Sequence, residues 1–171
     1  MCLSKGLTAG YLPLSAVLCS EDIYQCFYHD YASLKGFLHS HSYTGNALAC
    51  RAALASLEIF AQNDVMQNNK KLAAMMHEVT KHFVEHPHVA EVRQTGMILA
   101  IELVKDKANK QPYPWQERRG LQVYQFGLQQ GVLLRPLGDV VYFMPPYIID
   151  EEQIQWLAQI AWQGIMHATK N

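Results

Sequence analysis

Apolar residues recur along this chain with two different periods. From Ala47 to about Gln62 the sequence is rich in Ala and Leu and apolar on nearly every side, which predicts a deeply buried helix with Asn46 as its cap. Asp64 caps a second helix that runs to about Glu85 and stops at His86-Pro87. Val65, Leu72, Met76, Val79 and Phe83 fall on one face of it, so it is amphipathic, lies over a core and reads as a bridge between two domains. Upstream, Leu12 to Leu18 reads as a short buried strand, and Glu21 to His29 as a short helix capped by Ser20. Lys35 to Asn46 is a polar loop bearing glycine.

After Pro87 the pattern changes. Val89 to Val92 and Met97 to Val104 read as strands, followed by a charged, proline-bearing loop from Lys105 to Pro114. Trp115 to Gln130 is a helix ended by Gly131. Val132 to Arg135 and Val140 to Met144 are strands joined by the turn-rich Pro136-Leu137-Gly138-Asp139, and Asp150 caps a last amphipathic helix. The order β-β-α-β-β-α describes a small α/β unit. Two domains are therefore expected, residues 1–86 and 87–171. The start at Cys2 to Leu7, with no polar lead-in or cap, reads as a cut inside the first of them.

Composition narrows the function classes. The 171 residues suffice for one or two small domains, and with half of them apolar the chain packs rather than staying disordered. A formal charge of -1 gives neither a nucleic-acid footprint nor a polybasic membrane patch. Cys2, Cys19, Cys26 and Cys50 include no CxxC pair, and they read as buried, reduced thiols of a cytosolic protein. Thr8, Gly10, Tyr11, Pro13 and Ser15 interrupt the first apolar stretch, which argues against a signal peptide.

Three segments carry candidate chemistry. Lys5 stands among small and apolar residues, where its amine suits Schiff-base chemistry; a lysine snorkelling from a strand end is the plainer reading of that segment alone. His39-Ser40-His41-Ser42-Tyr43-Thr44-Gly45-Asn46 brings hydroxyls to a helix N-terminus, a place for a phosphate or simply a capped polar loop. Arg135 interrupts an apolar strand before a rigid turn, placed to grip a carboxylate or to reach solvent. His82, His86 and His88 have a spacing that binds metals, but no carboxylate or cysteine set accompanies them, so no metal is expected.

Taken together, these segments resemble the class III (fold type I) aminotransferases. Lys5-Gly6-Leu7-Thr8-Ala9-Gly10 is similar to the family's lysine segment, and His41 to Cys50 to its Gly-Asn helix entry. Ala9 stands where the family has glycine, and Ala47 where it has proline. The resemblance implies the C-terminal part of the large domain, residues 1–86 with the bridging helix, and the small C-terminal α/β domain. It implies that Lys5 holds pyridoxal 5′-phosphate covalently, with Tyr43 beside it, and that Thr44 reaches the cofactor phosphate across a homodimer interface. Arg135 would bind the substrate carboxylate with Tyr142 near the substrate. The wording of the Leu38–Asn46 and Arg135–Tyr147 segments is most similar to the branch that takes an amino group from S-adenosylmethionine to 8-amino-7-oxononanoate in biotin biosynthesis, a cytoplasmic activity. Another class III transaminase acting on an ω-amine, and a folded partial domain without activity, remain the competing readings. Family chains run well over twice this length, so the 171 residues alone are expected to be inactive, and a partial large domain with exposed apolar surface is expected to self-associate.

Overall fold

The computed structural model describes residues 1–170. It divides into two compact units, Met1–Asp64 and Val65–Asn171.

In the first unit, β1 (Cys2–Leu3) pairs antiparallel with β2 (Ala16–Val17). Between them Lys5–Thr8 winds into a 3-10 turn, closed by the Ala9 N–H donating to Gly6 O at 2.9 Å. A short helix, α1 (Glu21–Gln25), is followed by the long helix α2 (Ala47–Gln62). Asn46 caps α2 as the sequence predicts, its side chain accepting from the Ala49 N–H at 3.0 Å. Ala49, Ala53 and Ser56 share one face of α2 and are buried. That face meets the lysine turn, where the Ser56 hydroxyl donates to Gly6 O at 3.5 Å.

Several expectations fail in this unit, among them the helix expected over Glu21 to His29, which ends at Gln25. α2 is not deeply buried, because Leu48, Leu54, Leu57 and Ile59 are each more than half exposed. Only the small residues Ala49, Ala53 and Ser56 let another backbone come close, and the unit has no element covering the remaining sides. Leu12 to Leu18 is not a buried strand: pairing is limited to Ala16–Val17, and Pro13 has no N–H to offer a ladder. All four cysteines are exposed rather than buried.

The second unit holds the hydrophobic core. Helix α3 (Val65–Thr80) continues as a 3-10 turn, Lys81–Glu85. The Thr80 hydroxyl marks the change by donating back to Met76 O at 2.7 Å. β3 (Val89–Thr95) and β4 (Ile98–Leu103) form a hairpin turning at Gly96. Helix α4 (Arg119–Gln129), β5 (Arg135–Leu137), β6 (Val140–Phe143) and helix α5 (Glu151–Ala168) complete the unit. The antiparallel sheet has the order β3-β4-β6-β5, and the expected succession of strands and helices is present. Leu99 faces Phe143 and Ile101 faces Val141, so period-2 alternation puts these four on one buried face. Met76 and Phe83 from the first helical segment, Val123 from α4 and Ile154, Ala161 and Ile165 from α5 cover them. Val132 to Leu134 are not strand as expected; the ladder starts at Arg135, and Val132 and Leu134 are instead buried in this core beside α4.

Candidate active site

Lys5 is where the first unit becomes chemically unusual. Its φ is +54°, a left-handed conformation that costs a side-chain-bearing residue about 1–2 kcal/mol and that clusters at functional positions. The apolar burial expected around it is absent, since Met1 to Gly6 are exposed. Instead Lys5 lines an open cleft of about 1130 Å³ together with His41, Tyr43, Thr44 and Asn46. Within the loop the Thr44 hydroxyl oxygen accepts from the His41 N–H at 3.2 Å, and the Tyr43 N–H donates to His41 Nδ1 at 3.1 Å. Accepting at oxygen leaves the Thr44 O–H able to donate to an anion, next to the N-terminus of α2.

This donor set matches two demands of pyridoxal phosphate: an amine for its aldehyde, and a hydroxyl with helix amides for its phosphate. The third demand, a carboxylate against the ring nitrogen, has no candidate, because no Asp or Glu lines the cleft. Lys5, Tyr43 and Thr44 thus line one cleft.

Arg135 and Tyr142 lie in the second unit and are direct cross-strand partners on β5 and β6. Their side chains therefore share one face of the sheet, opposite the face of Val141 and Phe143. Ala100 of β4 and Arg93 of β3 continue the same row. Arg93 is paired with Glu91 and with Glu102, the latter at 2.6 Å. Arg135 is exposed and has no ion-pair partner among the described residues, so a ligand carboxylate meets no internal competitor there.

His82, His86 and His88 are engaged by aromatic neighbours and backbone carbonyls. His82 and His86 lie 4.8 and 5.3 Å from the Trp162 ring. His88 Nδ1 lies 3.1 Å from both Val104 O and Lys105 O, and no group of three possible metal ligands occurs among the described residues. No helix among them is long and apolar enough to cross a membrane.

Sequence reasoning missed two residues behind Arg135. Gly120 lies in the first turn of α4 directly against the β5–β6 turn, and Asp139 lies half-buried in that turn with its carboxylate near the Gly120 N–H. The only signal was the Gly138-Asp139 pair, which marks a turn without saying what it touches.

Comparison with known proteins follows the same lines. The class III aminotransferase family model matches residues 1–165. An adenosylmethionine-8-amino-7-oxononanoate aminotransferase of Anoxybacillus flavithermus is 42% identical over 170 residues, covering 99% of this chain and 37% of the relative. The crystal structure of the Methanocaldococcus jannaschii protein of that name superposes with a TM-score of 0.94 at 41% identity, over 99% of this chain and 39% of that one. A PMP-bound aminotransferase from Vibrio fluvialis gives a TM-score of 0.89 at 27% identity, over 98% of this chain and 37% of that one. The chain thus spans little more than a third of the length of the proteins it matches. With that family model matched over nearly the whole chain and these relatives alike in sequence and fold, the chain belongs to the class III aminotransferases, which depend on pyridoxal phosphate.

Proposed function

We propose that this chain is the lysine-bearing and carboxylate-binding part of a transaminase that moves an amino group from S-adenosylmethionine to 8-amino-7-oxononanoate. What supports the reading most is that relatives sharing 39–44% of its residues across nearly the whole chain carry that activity in their names. Lys5 would hold pyridoxal phosphate, with Tyr43 and Thr44 at the cofactor side and Thr44 serving the neighbouring subunit of a cytoplasmic homodimer. When bound, the cofactor supplies an electron sink for charge developing at the amine-bearing carbon. Lys5 Nζ takes the proton from the donor α-carbon as base, and as acid it returns a proton to the acceptor carbon in the second half-reaction. Arg135 orients the acceptor through two parallel hydrogen bonds to its carboxylate, and Tyr142 packs beside it. Since no carboxylate lines the cleft, these 171 residues by themselves are not expected to turn over substrate.

The test is the visible absorbance of the chain with added pyridoxal phosphate, beside Lys5→Ala. A yellow band that requires Lys5 supports the assignment of the lysine. An equal band in both, or none, removes Lys5 as the cofactor anchor in this chain. A donor screen on a polypeptide of the relatives' length separates adenosylmethionine from ω-amines.

A further inference from the structure

Among the described residues Arg135 has no ion-pair partner to aim it, so the position of its guanidinium rests on the backbone of its hairpin. That backbone is held from behind. A Cβ built on Gly120 would collide with Gly138 O and stand 3.2 Å from the Pro136 Cβ, so the first turn of α4 touches the hairpin backbone to backbone. Two residues earlier, Arg118 occupies the cap position of α4 with φ +48° and makes no side-chain capping bond. This helix end is approached from across the fold: the Asp139 carboxylate lies near the Gly120 N–H, beside the backbone contact with Gly138. A negative group at a helix N-terminus is also favoured by the helix dipole. Two turns further along, a Cβ on Gly127 would stand 2.8 Å from Val132 O and 3.0 Å from Leu134 Cδ1. The segment from Val132 to Asp139 is therefore seated along α4 at two points, with Arg135 between them.

The seat itself is anchored. Arg119 Nη1 donates to Ala168 O at the end of α5 at 2.5 Å, its Nη2 pairs with Glu117 at 2.6 Å, and its guanidinium lies 4.8 Å over the Tyr113 ring. Gly164 of α5 lets Val123 of α4 come to within 3.1 Å of where a Cβ would stand. α4 is thus fixed to α5 on one side and to the arginine hairpin on the other.

We infer that Gly120 and Asp139 are positioning residues for Arg135: they clamp the β5–β6 turn to the N-terminus of α4 and so set where the guanidinium meets a substrate carboxylate. The inference rests on the proposed role of Arg135. It assigns specificity for a carboxylate-bearing acceptor to a contact that touches no substrate.

The test uses a polypeptide of the relatives' full length carrying these residues. It measures the preference for 8-amino-7-oxononanoate over its methyl ester, together with KM for the amino donor. Asp139→Ala is expected to lower that preference roughly tenfold through KM of the carboxylate substrate, leaving the donor half-reaction within about twofold. Asp139→Asn keeps the size of the side chain and an oxygen near the Gly120 N–H, and is expected to restore most of the preference. Gly120→Ala should act in the same direction, and if it fails to fold the Asp139 pair carries the test. Ile160→Val, a core change in α5 costing about 0.5–1.5 kcal/mol, controls for simple destabilisation and should leave the preference unaltered. An undiminished preference in Asp139→Ala, with Arg135→Ala abolishing it, overturns the clamp and leaves the arginine assignment standing. If Arg135→Ala also keeps the preference, the arginine assignment falls, and the clamp with it.

Discussion

Ala9 adopts φ +51° as it closes the lysine turn, a conformation that glycine takes freely and alanine does not. The left-handed penalty is about 1–2 kcal/mol, and the extra chain freedom of an unfolded glycine takes back about 0.5–1 kcal/mol. Ala9→Gly is therefore expected to stabilise the first unit by about 0.5–1 kcal/mol, seen as a higher urea midpoint; an unchanged or lower midpoint contradicts the strain. His86 gives a pH dependence of definite sign. Burial, and then the charges of His88 and Lys107, hold its pKa below the ordinary value, while its Nδ1 accepts from the His88 N–H at 3.1 Å. The unfolded histidine takes up a proton near pH 6.5, whereas the folded one does so only at lower pH. Its contribution is present above that value and is lost as pH falls from about 6.5 toward the folded pKa. Urea unfolding of the second unit should show a midpoint that drops over that window, and His86→Asn should flatten the drop. Lys5 and Arg135 drew notice in the sequence because each interrupts an apolar stretch, and Thr44 through the resemblance of its loop to the family's helix entry. Asp139 drew none, because its neighbour Gly120 lies nineteen positions away on a helix whose packing no local pattern describes.

The helices α2 and α4 separate what periodicity tells from what it leaves open. The bounds of α2 follow from its Asn46 cap and its run of helix formers. Its burial does not follow, because a face of leucines says only that something ought to cover it. Ala53, on the face that meets the lysine turn, should tolerate no bulk: Ala53→Leu is expected to cost about 1–3 kcal/mol through overpacking. Leu57→Lys, on the open face, should change stability by less than about 0.5 kcal/mol and lower self-association in light scattering. Equal costs for the two would mean that α2 is covered on both sides. In α4 the prediction of one helix from Trp115 was too long. Trp115–Glu117 is a 3-10 turn, and Arg118 with φ +48° breaks the path before α4 begins. The hydrophobic pattern runs through that break because apolar spacing does not register a single reversed φ.

Over the whole molecule, the core that holds the chain together runs from Met76 to Ala168 and lies entirely in the second unit. In the first unit the buried side chains among the described residues are few and small: Thr8, Ala49, Ala53 and Ser56. Amide exchange should therefore show strong protection in β4, β6 and α5 and little in residues 1–46. Uniform protection across the chain would contradict this division.

The same division sorts the chromophores and the nucleophiles of the chain. Trp115, Trp156 and Trp162 all lie in the second unit, whereas Cys2, Cys19, Cys26 and Cys50 all lie, exposed, in the first. Indole emission consequently reads one unit, and the emission of a dye attached at the exposed thiols reads the other. The wild-type polypeptide labelled at those thiols, with no engineered site, carries two separate reporters, so the order in which its halves melt can be followed in one cuvette.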